Sequence, residues 1–375
     1  MAAGGTAGHV VPAMAVAAEL RASGAEVSFL GARGKIEAEL VPGAGYEIDL
    51  LDVRGIDRRN PLRAAVAVGK AVSGVGAARR ALRERGADVV LGGGGYVAGT
   101  VGIAAVLSRT PLVLTEADSH LGLANRLLAR RARRVCLAFP IDGREGERYL
   151  LTGRPIPAAV LSADRALARA RFGVAAADRC LLVMGGSQGA RSINLTAVGA
   201  FAEGGRAGER DFHVIHLSGE RDHDEIARRL ASAPHPERYR LIAYEPGLAD
   251  ALAACDLVLA RSGGSIFEVT AAGKPAILVP YPHATADHQR GNAEWMAGGG
   301  AAEIVADDEL NAQTLAVRVA ALFADETRLV TMSKASAALA RPDAARRIAD
   351  EVLAAGTTPS GAPYMGIDRK RRTGT

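Results

Sequence analysis

Three glycine-rich stretches carry the chain's most suggestive chemistry: GGTAGH at 4–9, GGGGYVAG at 92–99 and GGSQGA at 185–190. Small residues let a backbone approach phosphate closely, and a helix behind such a turn adds unpaired N–H groups and partial positive charge. For any single loop the alternative is a tight turn and nothing more. Together the three suggest two phosphate-bearing ligands. His9 closes the first loop. An imidazole with an ordinary pKa of about 6.5 suits proton abstraction near neutrality, and capping the turn or touching phosphate is its other reading. Glu116 and Asp118, in TEADSHLG at the end of a strand-like run, are rival bases. GxGxxG and GK[ST] are absent, and no acidic residue closes a second strand, which argues against nicotinamide and P-loop chemistry.

Positioning such loops requires strands ahead of them. Continuous apolar runs occur at 25–31, 87–93, 111–116 and 133–139, and again at 179–186, 211–219, 239–244, 255–261 and 275–280. Runs of this kind separated by helices indicate parallel sheets covered on both faces. Two series imply an α/β chain of two doubly wound, Rossmann-like domains whose ligands meet in a facing cleft. The expected division is 1–154, 155–338, a helix at 339–355 packing back on the first domain, and a disordered tail at 356–375. The Pro-containing TGRPIP (152–157) is the expected hinge. Only three residues precede GGTAGH, so the first strand of the first sheet is expected to be missing, leaving its neighbours unpaired.

Composition sets outer bounds. The 375 residues carry a net charge of +5, with arginines dense at 54–85 and 126–134, which suggests phosphates or an anionic surface. Cys136, Cys180 and Cys255 show no pairing or metal-ligand spacing, and no apolar run is long enough to span a bilayer. A reduced, cytosolic protein is expected.

In order along the chain stand GGTAGHVVPAMAVA, DVVLGGGGYVAG, LTEADSHLGLANRLLA, VMGGSQGARSIN, ARSGGSIFEVTAAGKPAILVPYPHATADHQRGNA and GGGAAEIV. This series resembles the MurG family over residues 2–355. The resemblance implies a GT-B fold and an inverting glycosyltransferase needing no bound metal or cofactor. Such an enzyme moves N-acetylglucosamine from UDP to the 4-hydroxyl of the N-acetylmuramoyl unit of undecaprenyl-linked lipid I, giving lipid II. Another UDP-sugar enzyme of this architecture (a 2-epimerase or glycolipid synthase) and an inactive UDP-sugar-binding partner are the alternatives. No nucleic-acid partner is expected.

Carried over by position, the resemblance gives the donor side Ser187, Gln188 and Gly189, the backbone at Tyr244 and Glu245, Gly263, Gly264 and Ser265 opening a helix, Glu268 on the ribose diol, and Gln289 with Asn292. The family's hinge arginine is replaced by Pro157, and Arg154 is the candidate to supply that charge. The acceptor side would use Gly4, Gly5, Thr6, Ala7, Gly8, Gly94, Gly95, Tyr96 and Asn125, with His9 favoured as base. His283 and His288 flank the donor loop without a catalytic role.

A peripheral site on the cytoplasmic face of the membrane has separate support. In a helix from 61 to 85, Val68, Val72, Val75 and Leu82 form one stripe, expected to face the core. Arg59, Leu62, Arg63, Val66 and Lys70 form a mixed basic and apolar face suited to anionic lipid. A solvated helix is the alternative.

Overall fold

The computed structural model describes residues 1–54, 61–186, 188–202, 212–233, 236–284 and 287–357, with the backbone alone at 7, 61–68 and 71. It divides into unit 1, Met1–Ile156 with the segment from Asp343 onward, and unit 2, Pro157–Pro342. The expected tail lies almost wholly outside the described residues.

Unit 1 contains strands β1 (Ser28–Ala32), β2 (Glu47–Leu51), β3 (Val90–Gly92), β4 (Leu112–Glu116), β5 (Arg134–Leu137) and β6 (Tyr149–Leu151). β1 pairs with β2, and β3 to β6 pair in sequence order, all parallel. Between the two sets sits Ala2, fully buried, bridging in parallel to both Leu30 and Gly92. Its N–H donates to the Leu91 carbonyl and its carbonyl accepts from Gly93, both at 2.8 Å. Residues 1–3 thus hold, as a bridge rather than a regular strand, the place where a strand was expected to be missing. β1 and β3 are joined through it.

Unit 2 contains β7 (Arg179–Met184), β8 (Phe212–Leu217), β9 (Tyr239–Ile242), β10 (Leu257–Ala260), β11 (Ala276–Leu278) and β12 (Ala302–Ile304). Their order is β12-β11-β10-β7-β8-β9, again all parallel. This is the doubly wound order, and such sheets bind ligands where the winding reverses, outside the carboxyl ends of the strands. The reversal falls between Ala2 and β3 in unit 1, and between β7 and β10 in unit 2. The loops leaving those points are 4–9 and 93–95, and 185–190 and 261–265. Topology therefore selects the same glycine-rich turns as composition does.

The helix Ala344–Gly356 returns to unit 1. Its Ile348, Ala349, Val352 and Ala355 share a core with Val16, Leu20, Leu91, Val113 and Cys136. In the helix Pro61–Glu84, Ala78 and Leu82 are buried and Val75 is partly so. Val72, expected on that stripe, is 69% exposed. The correction has a simple cause: Gly74 takes the inward position, where an added methyl would stand 2.5 Å from Val53 Cγ1. The three cysteines are free and buried.

Candidate functional site

In unit 1 the turn 4–9 leads into the helix Ala7–Ala22, with Thr6 as its N-cap. Gly5 takes a φ of +94°, a conformation that glycine adopts without strain. Its N–H is already committed. It lies 3.1 Å from both oxygens of Glu37, a fully buried carboxylate that also accepts from Ala32 N at 2.9 Å. Glu37 therefore braces the turn from behind and occupies one of the N–H groups that the phosphate reading assigned to a ligand. No sequence signal singled it out.

The two glycine loops of unit 1 nest around His9. A methyl at Gly94 would stand 2.8 Å from His9 Cδ2, and one at Gly95 would stand 3.5 Å from Nδ1. Both glycines have positive φ, +92° and +76°. Tyr96 lies against Gly5, where an added methyl would be 3.1 Å from its Cε1. The half-buried His9 ring has its Nδ1 3.2 Å from Thr6 Oγ1. Burial, and next the Arg154 guanidinium, hold the imidazole below its usual 6.5, against the opposing pull of Asp118 and Glu37. A neutral ring at pH 7 is what proton abstraction requires.

Arg154 is placed by a proline. Pro12 lies inside the helix Ala7–Ala22 and has no N–H to give the carbonyl four residues earlier, that of Gly8. Arg154 Nη2 donates to that carbonyl at 2.6 Å. The arginine expected on the donor side thus belongs to unit 1, beside His9. The same residues, with Glu116, Thr115, Cys136 and Ile348, line a cavity of about 20 Å³, room for one water.

The rival bases behave differently. Glu116 is buried, and its carboxylate accepts from Ala117 N (3.0 Å), Asp118 N (3.2 Å), Gly122 N (2.8 Å) and Asn125 Nδ2 (2.9 Å). Burial, the largest cause, holds its pKa above the usual carboxylate value against the pull of the Gly122, Asn125 and Asp118 donors. Four donors fill the lone pairs a base would use, so Glu116 organises the loop 116–122. Asn125, also buried, donates to the Thr115 carbonyl at 2.9 Å and is a strut of that loop. Glu116→Ala should leave up to four donors unpaired, each costing about 1–3 kcal/mol where water cannot reach it. A thermal melt should show unit 1 losing several degrees.

In unit 2 the turn 185–190 is shaped by contact. A methyl at Gly185 would run into the Ala190 nitrogen, and one at Gly189 (φ +70°) into the Ser218 carbonyl oxygen. Gln188 is exposed at its tip, and Ser187 lies outside the described residues. The second loop is braced by Arg261. It pairs with Asp307 at 2.6 Å and donates to Ser192 Oγ at 2.8 Å and to the Val279 and Pro280 carbonyls at 3.1 and 3.2 Å. Gly263, Gly264 and Ser265 follow, half-buried, and Glu268 stands in the first turn of the helix Ile266–Ala271. Gln289 turns its Oε1 to Tyr281 N at 3.0 Å, and its backbone carbonyl accepts from Ser262 Oγ at 2.6 Å.

Asn292 is a correction. It is 1% exposed and donates to the Ser262 carbonyl at 3.0 Å, so it supports the loop from inside and has no surface for a ligand. Tyr244 is exposed, while the Glu245 carboxylate is bound by Arg171 at 2.8 Å, which leaves its backbone as the available part. Lys70, expected on the lipid face, is bound by Asp52 at 2.7 Å. Arg59 and the side chains of Leu62, Arg63 and Val66 lie outside the described residues.

Two doubly wound units, each with glycine-rich turns at its winding reversal, have the architecture of the GT-B glycosyltransferases, and similarity to known proteins places the chain in that class. The glycosyltransferase family 28 N-terminal domain matches residues 1–137, and the family 28 C-terminal domain matches residues 180–348. The chain is 39% identical over 360 residues to a UDP-N-acetylglucosamine–N-acetylmuramyl-(pentapeptide) pyrophosphoryl-undecaprenol N-acetylglucosamine transferase of Moorella thermoacetica, covering 93% of this chain and 96% of that one. A relative of the same description from Aeromonas hydrophila is 40% identical over 350 residues, covering 93% and 94%. The crystal structure of Acinetobacter baumannii MurG superposes with a TM-score of 0.75 at 28% identity, covering 94% of this chain and 97% of that one. The chain belongs to the MurG family of glycosyltransferases.

Proposed function

We propose that this chain transfers N-acetylglucosamine from UDP-N-acetylglucosamine to the 4-hydroxyl of the N-acetylmuramoyl unit of undecaprenyl-linked lipid I, forming lipid II. The observation that carries the reading is identity near 40% along almost the full length to relatives of that description. The glycine turns at both winding reversals agree with it. His9 takes the proton of the attacking hydroxyl while the anomeric carbon releases UDP. The turns 185–190 and 263–265 face the diphosphate with backbone N–H groups, and Glu268 accepts from the ribose hydroxyls. Purified protein given UDP-N-acetylglucosamine and a short-chain lipid I analogue should yield disaccharide and UDP. Turnover of UDP-N-acetylglucosamine without acceptor would instead favour the 2-epimerase reading.

Glu268→Ala should raise the donor KM by about 10- to 100-fold with kcat at saturation little changed, because charge-assisted hydrogen bonds contribute about 1.5–3 kcal/mol. Initial-rate kinetics check this, and an unchanged KM removes Glu268 from the donor site.

The membrane side of the reading rests on unit 1. Among the described residues no helix is long and apolar enough to cross a membrane. The neighbouring helices Gly95–Ser108 and Leu123–Leu128 expose Ile103, Leu107, Leu123 and Leu127. Exposed Arg109, Arg126, Arg130 and Arg131 lie on or just beyond them. An apolar patch flanked by cations suits an anionic lipid surface. The protein should sediment with anionic vesicles at low salt and release as salt rises, at about 1 kcal/mol per cation near the surface. Leu107→Asp with Leu127→Asp should abolish sedimentation; if it persists, the lipid face lies elsewhere.

A further inference from the structure

Behind the turn 185–190 runs a chain of buried hydrogen bonds. His216, on β8, is fully buried, with Nδ1 2.7 Å from the Tyr239 hydroxyl and Nε2 3.0 Å from Asn194 Oδ1. Asn194 Nδ2 lies 2.8 Å from the Ser218 carbonyl and 2.8 Å from Asp222 Oδ2. Arg221 also donates to that carboxylate, at 3.1 and 3.2 Å.

Every proton in this chain is determined. The Ser218 carbonyl and the Asp222 carboxylate only accept, so the Asn194 group facing both is its NH2. Its Oδ1 then faces His216 and must receive a proton from Nε2. In a neutral ring Nδ1 is therefore the acceptor, and Tyr239 donates to it. Burial pushes the imidazolium pKa down to about 3, so the neutral ring persists at any working pH.

The output of the chain is the Ser218 carbonyl. That oxygen abuts Gly189, and a methyl at Gly219 would stand 2.7 Å from Gly189 N and 2.9 Å from the Gln188 carbonyl carbon. The strand-end residues 218–219 and the turn 188–189 are packed back to back.

We propose that His216 is a positioning residue for the nucleotide diphosphate: through Asn194 it fixes the Ser218 carbonyl, and through Ser218 the turn at Gln188 and Gly189, in which the Gly189 N–H closes onto the Gly186 carbonyl at 2.9 Å and the Gln188 N–H is offered to the ligand. The role rests on the reading of that turn as the UDP site. It needs a donor and an acceptor on one side chain, which glutamine can supply between Tyr239 and Asn194 and phenylalanine cannot.

The test is calorimetric titration of UDP into the wild type, His216→Phe, His216→Gln and Tyr239→Phe, with melts and acceptor KM measured alongside. His216→Phe should weaken UDP by about 10-fold or more, and Tyr239→Phe by about 2- to 10-fold. His216→Gln should return to within about 3-fold of the wild type, on the same conversion of hydrogen-bond energy to affinity. The acceptor KM should stay constant throughout. Should His216→Phe not fold, Tyr239→Phe, which deletes one oxygen, decides. A folded His216→Phe or Tyr239→Phe that binds UDP like the wild type overturns the positioning role alone. So does a glutamine variant as weak as the phenylalanine one. Wild-type protein that binds no UDP overturns the donor-site reading, and the positioning role falls with it.

Discussion

His9→Ala should lower kcat by about 100- to 10,000-fold, the range that a positioned general base contributes. Donor and acceptor KM should change little, because the backbone groups around the ring remain. The pH profile supplies a second signature. A base must be neutral to act, and burial and Arg154 both hold His9 below 6.5. The wild-type rate should therefore be level through neutrality and fall only as pH drops below 6.5. Arg154→Gln removes one of the lowering causes and should shift that fall to higher pH. Stopped assays on the short-chain lipid I analogue between pH 5 and 8 measure both effects. A kcat near wild type in His9→Ala would leave Asp118 as the remaining candidate, since the Glu116 carboxylate is already saturated by four donors.

The second large effect is expected at Gly189. Its φ of +70° costs an alanine about 1–2 kcal/mol in backbone strain. Its missing Cβ leaves room for the Ser218 carbonyl, which cannot retreat while Asn194 holds it. Gly189→Ala must therefore push the turn itself outward. A displacement of about 1 Å in a positioning element can cost about 100-fold in rate, so kcat/KM for the donor should fall by that order. Gly24→Ala is the control. Its φ is +86° with nothing within 4 Å of the added methyl, so it should lose stability and keep its kinetics. Equal kinetics in the two variants would show that the turn tolerates the methyl.

The sequence made the interior of both sheets legible and left three of their four margins obscure, β9 being the exception. Nine strands announce themselves as continuous apolar runs, because parallel strands covered on both faces have no polar side. The three without such a signal are β2, β6 and β12, and each closes an edge of its sheet. β2 reads EIDLL with its first residue exposed, and β6 is YLL, half-buried throughout. At an edge, one flank meets solvent and the apolar requirement lapses. The glycine turns were legible for a related reason, since a backbone that must approach another group excludes side chains whatever that group is. The same reasoning could not tell which approach was meant. Gly5 gives its N–H to Glu37, and Gly189 yields to Ser218. The supporting side chains Glu37 and His216 are scattered single polar residues in sequence, and only folding brings each to its loop, while Asn194 and Arg261 stand beside their loops with nothing in sequence to mark them as braces. Asn125 and Asn292 stand in the motifs of their loops, and only folding shows that both are buried behind the loop wall.

Unit 1 is assembled from both ends of the chain, with Ile348 and Val352 packed beside Val16 and Leu20. Synthesis proceeds from the amino terminus, and domains tend to fold as they emerge. Here the first domain to be translated cannot finish first. Until residues 344–355 leave the ribosome, Val16, Leu20 and Val113 lack part of their cover, while unit 2, contiguous from Pro157 to Pro342, already has its whole sequence. Unit 1 waits through the synthesis of unit 2. During that interval Val16, Leu20 and Val113 present apolar surface of the kind that makes unfinished domains aggregation-prone and that chaperones cover.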